Sequence, residues 1–268
     1  MANQQPLPST LYTEEYFRTA CEGYDEFNTT EGQHLSRRLT QAFNYAEVTP
    51  GMNVLDVGCG RGEILRHCAD LGANAYGIDY AQVAVRMSRD VLAALDENVP
   101  GHGGVALSDA KKLPYPNDFF ERVLMFDVVE HLHPWELQLA LTEVDRVLRP
   151  GGKLIVHTAP NIWYDRYAYP IVRAFRVLSG NGRDYPANPR QFLVDVNEHV
   201  HVNEQSLWSM RHTLERAGFA CKVWLDSPPQ SRTESLPLAL LRRLAFKTVP
   251  LRWFFDREVF AVAWKETG

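Results

Sequence analysis

The run VLDVGCGRGEIL at residues 54–65 passes from an apolar stretch through three closely spaced glycines into a helical pattern. Val54, Leu55 and Val57 have the β-branched and apolar character of a strand buried on both faces. Gly58, Gly60 and Gly62 let the chain turn sharply and approach another molecule closely. A helix beginning near Gly62 adds the positive end of its dipole, so the turn is suited to hold a carboxylate or a phosphate on free backbone N–H groups. A tight turn with no ligand is the plain alternative. The dinucleotide fingerprint G-x-G-x-x-G is not matched, because the spacing here is G-x-G-x-G.

Two acids downstream extend the pattern. ANAYGID, residues 73–79, reads as a second strand ending in Asp79, where a βαβ unit delivers its next strand tip and where a carboxylate can grip both hydroxyls of a ribose. VALSDA, residues 105–110, places Asp109 at a third strand end, positioned to accept from an exocyclic adenine amine. Each acid taken singly is more often a helix cap or a solvated loop residue. With Asp56, their ordered recurrence at three strand tips makes a nucleoside pocket.

Alternation of strand and helix continues along the chain. Strands are expected near 52–57, 73–79, 102–107, 119–126 and 152–159, and helices near 62–71, 81–95 and 134–148, the last ended by Pro150, Gly151 and Gly152. A helix near 204–217, a strand at 219–226 and REVFAVAWK at 257–265 close the chain. This is a doubly wound α/β pattern, in which right-handed crossovers bring the strand carboxyl ends, and so the three acids, to one edge of the sheet.

The ordered series VLDVGCGRG, GIDYA, SDAKKLPYPNDFFERVLMFDVVEH and EVDRVLRPGGKLIVHTAPN resembles the class I S-adenosylmethionine-dependent methyltransferases, especially the branch of ubiquinone-type and small-molecule O-methyltransferases. The resemblance covers roughly residues 50–160. It implies a Rossmann-like, seven-stranded, mainly parallel sheet with an antiparallel last strand, and S-adenosylmethionine as cofactor. Carried over by position, Asp56 and Gly58 to Gly62, with Cys59 and Gly60 between them, hold the methionine end. Asp79, next to Tyr80, holds the ribose. Asp109, flanked by Ser108 and Ala110, meets the adenine, while Phe126 covers the nucleoside and Asp127 follows it in the cofactor set.

Composition is compatible with this reading. A chain of 268 residues that is 45% hydrophobic and 23% charged can bury one large core. The net charge of -5 argues against a general nucleic-acid binder, since phosphate recognition draws on clustered cations, and no DNA partner is expected. Cys21, Cys59, Cys68 and Cys221 show neither metal-ligand spacing nor a secreted disulfide pattern, and are read as free thiols of a reducing cytoplasm. No leader pattern opens the chain and no apolar run reaches the ~18 residues of a membrane span, so a soluble protein is expected, with peripheral membrane contact at most.

Three additions surround the core expected over residues 48–268. A helical cap, residues 1–47, carries Tyr12, Tyr16, Phe17, Tyr24 and Phe27. Tyr12 and Tyr16 are its candidates for a lid over the cofactor, the other aromatics being read as packing. An insertion at about 161–196 interleaves Trp163, Tyr164, Tyr167, Tyr169, Phe175 and Tyr185 with Arg166, Arg173, Arg176, Arg183 and Arg190. It reads equally as a surface for a phosphorylated or aromatic acceptor and as a solvated helix face over inward-packed rings. A second insertion at about 236–255 combines leucines and aromatics with Arg242, Arg243, Lys247 and Arg252, which suits a pocket cap more than an interfacial segment.

Methyl transfer from a sulfonium is a direct displacement, so the protein must align and desolvate the partners and remove a proton from a hydroxyl acceptor. His131 follows the fourth strand directly, and His133, His157, His199 and His201 are further candidates. Location favours His131 and His199 as bases, with Glu130 orienting them. Resemblance implies more. Some ubiquinone-type and small-RNA methyltransferases carry an E-x-x-E-H run with a later histidine that binds a divalent metal, and here D-x-x-E-H supplies Asp127, Glu130 and His131, with His199 or His201 following. Oxygen and imidazole donors suit magnesium, manganese or zinc. FDVVEHLHP stands where the family's base- and glutamine-amine methylating members carry D-P-P-Y or N-P-P-F. The expected reaction is therefore methylation of a small-molecule hydroxyl, on a glycan, lipid-linked or secondary-metabolite acceptor. RNA or protein methylation, dinucleotide oxidoreduction and cofactor binding without catalysis are the alternatives.

Overall fold

A computed structural model describes residues 5–178, 180, 182–189, 199–226 and 248–265. Three short helices come first, α1 (Glu14–Thr19), α2 (Tyr24–Thr30) and α3 (Arg37–Asn44). The core follows as β1 (Asn53–Val57), α4 (Glu63–Asp70), β2 (Asn74–Asp79), α5 (Gln82–Ala93), β3 (His102–Leu107), β4 (Phe120–Phe126), α6 (Pro134–Val147) and β5 (Leu148–Thr158). A π-helical turn (Tyr164–Ala168) leads into α7 (Tyr169–Leu178). Then come α8 (Leu207–Arg216), β6 (Ala220–Asp226), the one-turn α9 (Arg252–Phe255) and β7 (Glu258–Trp264).

The seven strands form one sheet in the order β3-β2-β1-β4-β5-β7-β6. β3, β2, β1, β4 and β5 run parallel, and β7 is antiparallel to both its neighbours, as the final strand is expected to be. The chain order reverses between β1 and β4, and the crevice at such a switch point is where open α/β sheets bind ligands. Leu55 on β1 and Val123, Leu124 and Met125 on β4 are fully buried, which is what a strand covered by helices on both faces requires.

α6 shows how local chemistry sets an element. Pro134 occupies its first position, where a missing N–H costs nothing, and the His133 amide donates to Glu136 Oε2 at 3.1 Å. Leu137, Leu141 and Val144 then face the core at helical spacing. The helix stops at Val147, as Pro150-Gly151-Gly152 implies, but those residues do not form a separate loop. They lie inside β5, which begins at Leu148 and is bulged against β4 between Phe120 and Arg122. Gly151 adopts φ +76°, and a Cβ on Gly152 would stand 2.9 Å from the Arg149 carbonyl oxygen, so this irregular crossing needs both glycines.

The N-terminal helices lie over the carboxyl ends of the strands and are tied down by one residue of the glycine turn. The Arg61 side chain is 3% exposed. It donates through Nη1 to the Phe17 carbonyl at 2.8 Å, through Nη2 to the Glu22 carbonyl, and through Nε to Glu63 at 3.0 Å, with the Phe27 ring beneath its guanidinium.

The two insertions that sequence places far apart meet. Trp163 stacks on Phe254 with centroids 5.2 Å apart, Tyr167 meets the same ring edge-on, and the Asn161 amide donates to the carbonyls of Trp253 and Asp256 at 2.9 Å each. Arg173 donates to the Tyr185 carbonyl at 3.0 Å and Arg176 lies over the Tyr185 ring, so both arginines are engaged within the first insertion. Arg190, Arg242, Arg243 and Lys247 lie outside the described residues.

Candidate active site

A cavity of about 230 Å³ opens between the strand ends and the N-terminal helices. Its floor is the glycine turn after β1. Gly58 has φ +74°, and a Cβ there would fall 2.5 Å from Val128 Cγ2. Gly62 has φ +88°, with Ser88 Cα only 2.8 Å from where its Cβ would stand. Both positions exclude a side chain twice over, by conformation and by space. Asp79, at the tip of β2, braces the turn by accepting from the Gly60 amide at 3.1 Å through one oxygen and from the Ala81 amide at 2.8 Å through the other. Each oxygen keeps a lone pair for a further donor. Burial raises the Asp79 carboxyl to about 6, against the pull of these backbone donors. Asp56, deeper on β1, is raised well above the usual carboxylate range by burial and by the nearby Glu63 and Asp79.

The sequence-predicted cofactor residues converge here. Tyr12, Tyr16, Asp56, Gly58, Cys59, Gly60, Asp79, Tyr80, Ser108, Asp109, Ala110, Phe126 and Asp127 all line the cavity, and Gly62 closes the turn beneath it. Tyr12 and Tyr16 form its roof, packed edge to face at 5.2 Å, and Tyr12 meets Tyr80 at 5.5 Å. Asp109 is less free than its strand-tip position suggests. One of its oxygens accepts from the Lys111 amide at 2.8 Å, and the other lies 2.9 Å from Lys111 Nζ, which also reaches Glu136 at 2.7 Å.

At the end of β4 the chain turns through Asp127, whose φ is +54°, into a short 3-10 turn, Val129–His131. Glu130, His131 and His201 meet there, each offering one ligand atom within 4.8 Å of the others. His131 lines the cavity. Its Nδ1 lies 3.1 Å from both the Val200 carbonyl oxygen and the Tyr12 hydroxyl. A carbonyl only accepts, so this contact assigns the proton to Nδ1 and leaves the Nε2 lone pair available. Burial and the neighbouring His201 depress the His131 pKa to about 3, which keeps the ring neutral. Glu130 is raised by burial and by Asp127, and accepts from the Thr158 hydroxyl at 2.7 Å. Burial acts to lower His201, but Glu204, 3.8 Å away, and Glu130 outweigh it and raise the group.

Two members of the sequence-predicted catalytic and metal set do not join this cluster. His199 is exposed, and His201 takes its place. The reason is the next stretch of backbone. Val200 is buried against the aromatic roof, and the amides of Val202 and Asn203 both donate to the Glu130 carbonyl, at 2.8 and 3.1 Å, which fixes the chain at His201 beside Glu130. Asp127 turns instead to His157, with Oδ1 2.9 Å from Nδ1. His133 is also elsewhere, its Nε2 3.1 Å from the Gln5 carbonyl oxygen. No sequence signal separates His199 from His201, since both stand in EHVHVNE. His157, a candidate base in the sequence, is placed beside Asp127 only by the pairing of β4 and β5.

A family profile for the methyltransferase domain matches residues 55–156. The ubiquinone/menaquinone biosynthesis C-methyltransferase UbiE of Burkholderia vietnamiensis is 31% identical over 218 residues, covering 75% of this chain and 82% of that one. The chain belongs to the class I S-adenosylmethionine-dependent methyltransferases. UbiE of Bordetella parapertussis is 33% identical to this family member over 173 residues, 62% of each chain, so the match spans less than two thirds of that relative's length. Among solved structures, an S-adenosylmethionine-dependent methyltransferase from Methanosarcina mazei shares the methyltransferase fold with a TM-score of 0.57 at 15% identity, covering 87% of this chain and 99% of that one. This membership displaces dinucleotide oxidoreduction, in keeping with the G-x-G-x-G spacing.

Proposed function

We propose that the chain binds S-adenosylmethionine in this cavity and transfers its methyl group to a hydroxyl of a small molecule, on a glycan, lipid-linked or secondary-metabolite scaffold. The observation that carries the reading is the place of His131 in the cavity wall, with Nδ1–H committed to a carbonyl so that Nε2 is the ring's one acceptor position. S-adenosylmethionine supplies, when bound, a methyl carbon on a sulfonium with a neutral thioether as leaving group. In that transfer His131 Nε2 would accept the proton of the acceptor hydroxyl. Glu130 stands beside the imidazolium that results. Tyr12 and Tyr16, buried in the roof, would keep water from a bound cofactor.

Glu130, His131 and His201 also fit a divalent cation, offering one oxygen and two imidazole nitrogens. Each has an outer partner of the kind that orients ligands: Thr158 behind Glu130, the Val200 carbonyl behind His131 and Glu204 near His201. Such an ion would lower the pKa of an acceptor hydroxyl. Asp127 and His199 are not in this set.

A carbon acceptor is the second reading, favoured by the UbiE relatives, which are C-methyltransferases. The two share a first step, because removing a proton from an aromatic or enolic hydroxyl activates both that oxygen and the carbon beside it. Turnover with S-adenosylmethionine carrying a 13C methyl group, over a panel of phenolic and aliphatic hydroxyl acceptors, tests the proposal. A labelled O-methyl resonance in the product supports it, and a labelled C-methyl supports the second reading. Tight S-adenosylhomocysteine binding with no turnover on small molecules, RNA or protein would leave a binding role.

A further inference from the structure

Beneath the cavity lies a row of buried charges that the proposed chemistry does not use. His157 sits on β5, paired with Phe126 of β4 on one side and Phe260 of β7 on the other, and is completely buried. Its Nδ1 lies 2.9 Å from Asp127 Oδ1, and its Nε2 lies 3.8 Å from Glu258 Oε2 at the start of β7. The Asp127 amide donates to the His157 carbonyl at 3.0 Å, so backbone and side chain are held by the same residue. Asp127 itself is a non-glycine residue at φ +54°, a conformation that persists only where the surroundings impose it. Its second oxygen, Oδ2, is shielded from solvent and has no hydrogen-bond partner among the described residues, while Asp127 lines the cavity.

Charge bookkeeping around Oδ2 indicates what it would accept. Arg38 acts on Asp127 as well as on its ion-pair partner Glu22, without a hydrogen bond to Oδ2 among the described residues. Burial opposes charge on His157, yet Asp127 and Glu258 raise it to about 9, so the ring is cationic at neutral pH. Asp127 and Glu258 share one imidazolium, which engages only Oδ1 of Asp127 and leaves Oδ2 without a hydrogen-bond partner among the described residues. The adjoining Val128 packs directly over Gly58, so Asp127 enters the cavity next in sequence to the residue that covers the first glycine of the turn. A primary ammonium in the cavity would supply Oδ2 with the donor it lacks.

We infer that His157, ion-paired with Asp127 and lying between it and Glu258, is a positioning residue that fixes the Asp127 carboxylate to receive the α-ammonium of the cofactor's methionine moiety. The inference rests on the proposed cofactor reading and adds two residues, His157 and Glu258, that touch no ligand.

The test compares two ligands that differ in the amino-acid arm. S-adenosylhomocysteine carries the ammonium, whereas 5′-methylthioadenosine presents the same nucleoside without it. By calorimetry, Asp127→Asn is expected to weaken S-adenosylhomocysteine by about 10- to 100-fold, as loss of a charge-assisted contact does, and 5′-methylthioadenosine by less than about twofold. His157→Phe is expected to follow the same pattern. His157→Asn, whose side-chain amide can still donate to Asp127 Oδ1, is expected to recover most of the loss. Should His157→Phe not fold, Asp127→Asn and Glu258→Gln carry the comparison. Parallel losses for both ligands, or unchanged S-adenosylhomocysteine affinity, would overturn the inference while leaving the cofactor reading intact. Wild-type protein that binds neither compound would overturn the cofactor reading and the inference together.

Discussion

Acidification should weaken cofactor binding through Asp79. In the ligand-free fold this carboxyl titrates at about 6 because it is buried. Ribose hydroxyls donate to it effectively only when it is ionised, so the apparent dissociation constant scales as one plus the ratio of protonated to ionised Asp79. At about pH 8 that factor is close to one, and at about pH 5 it is roughly eleven, so S-adenosylhomocysteine affinity should fall by about tenfold across the interval. The stability of the free protein moves in the opposite sense. A pKa raised in the folded state stabilises the fold fully below the unfolded value of 3.8, and that contribution is lost as pH rises through about 6. The difference is about 3 kcal/mol, taking roughly 1.36 kcal/mol per pKa unit. The thermal shift produced by S-adenosylhomocysteine should therefore be larger near neutral pH than at about pH 5. Calorimetry across this range on wild type and Asp79→Asn is the assay. The variant should bind weakly throughout, and the acid-dependent step should disappear. An affinity that stays flat in wild type, or a step that survives in Asp79→Asn, would refute the placement of the ribose at this carboxylate.

Three further outcomes are expected. Gly58→Ala should lose about 1–3 kcal/mol of stability by thermal denaturation and abolish S-adenosylhomocysteine binding, because it forces a Cβ against Val128 at a positive φ. His131→Ala should reduce turnover by at least about 100-fold while S-adenosylhomocysteine affinity changes only a few-fold, and equal losses in both would assign His131 to binding instead. If a divalent ion occupies the cluster, a chelator should remove activity that one metal restores, and His201→Ala but not His199→Ala should lower metal content by elemental analysis. Activity indifferent to the chelator would leave His131 acting as base alone.

Features carried by local chemistry were legible in the sequence. The turn at Gly58–Gly62, the strand tips at Asp56 and Asp79, and the stop after α6 all follow from φ requirements and periodicity within a dozen residues. What escaped depends on which distant backbone comes alongside. His199 and His201 are equivalent in sequence, and only the bonds from Val202 and Asn203 to Glu130 select between them. Asp109 reads as a free acceptor from its strand-end position, and nothing local says that the Lys111 ammonium two positions on turns back to bridge Asp109 and Glu136. Asp127 looked like a member of the D-x-x-E-H ligand run until the pairing of β4 with β5 put His157 beneath it.

The Arg61 clamp has a consequence for how the protein tolerates shortening. Its guanidinium depends on carbonyls from Phe17 and Glu22 and on the face of the Phe27 ring, all of which belong to the first 30 residues. Trimming that stretch would not simply unroof a finished pocket. It would strand a cation in the floor with Glu63 as its one remaining partner among those described, and would bare the apolar surface that Tyr16, Phe17 and Phe27 now cover. The opening helices are thus part of the wall that shapes the glycine turn, and a catalytic core cut free of them should lose the turn as well as the roof.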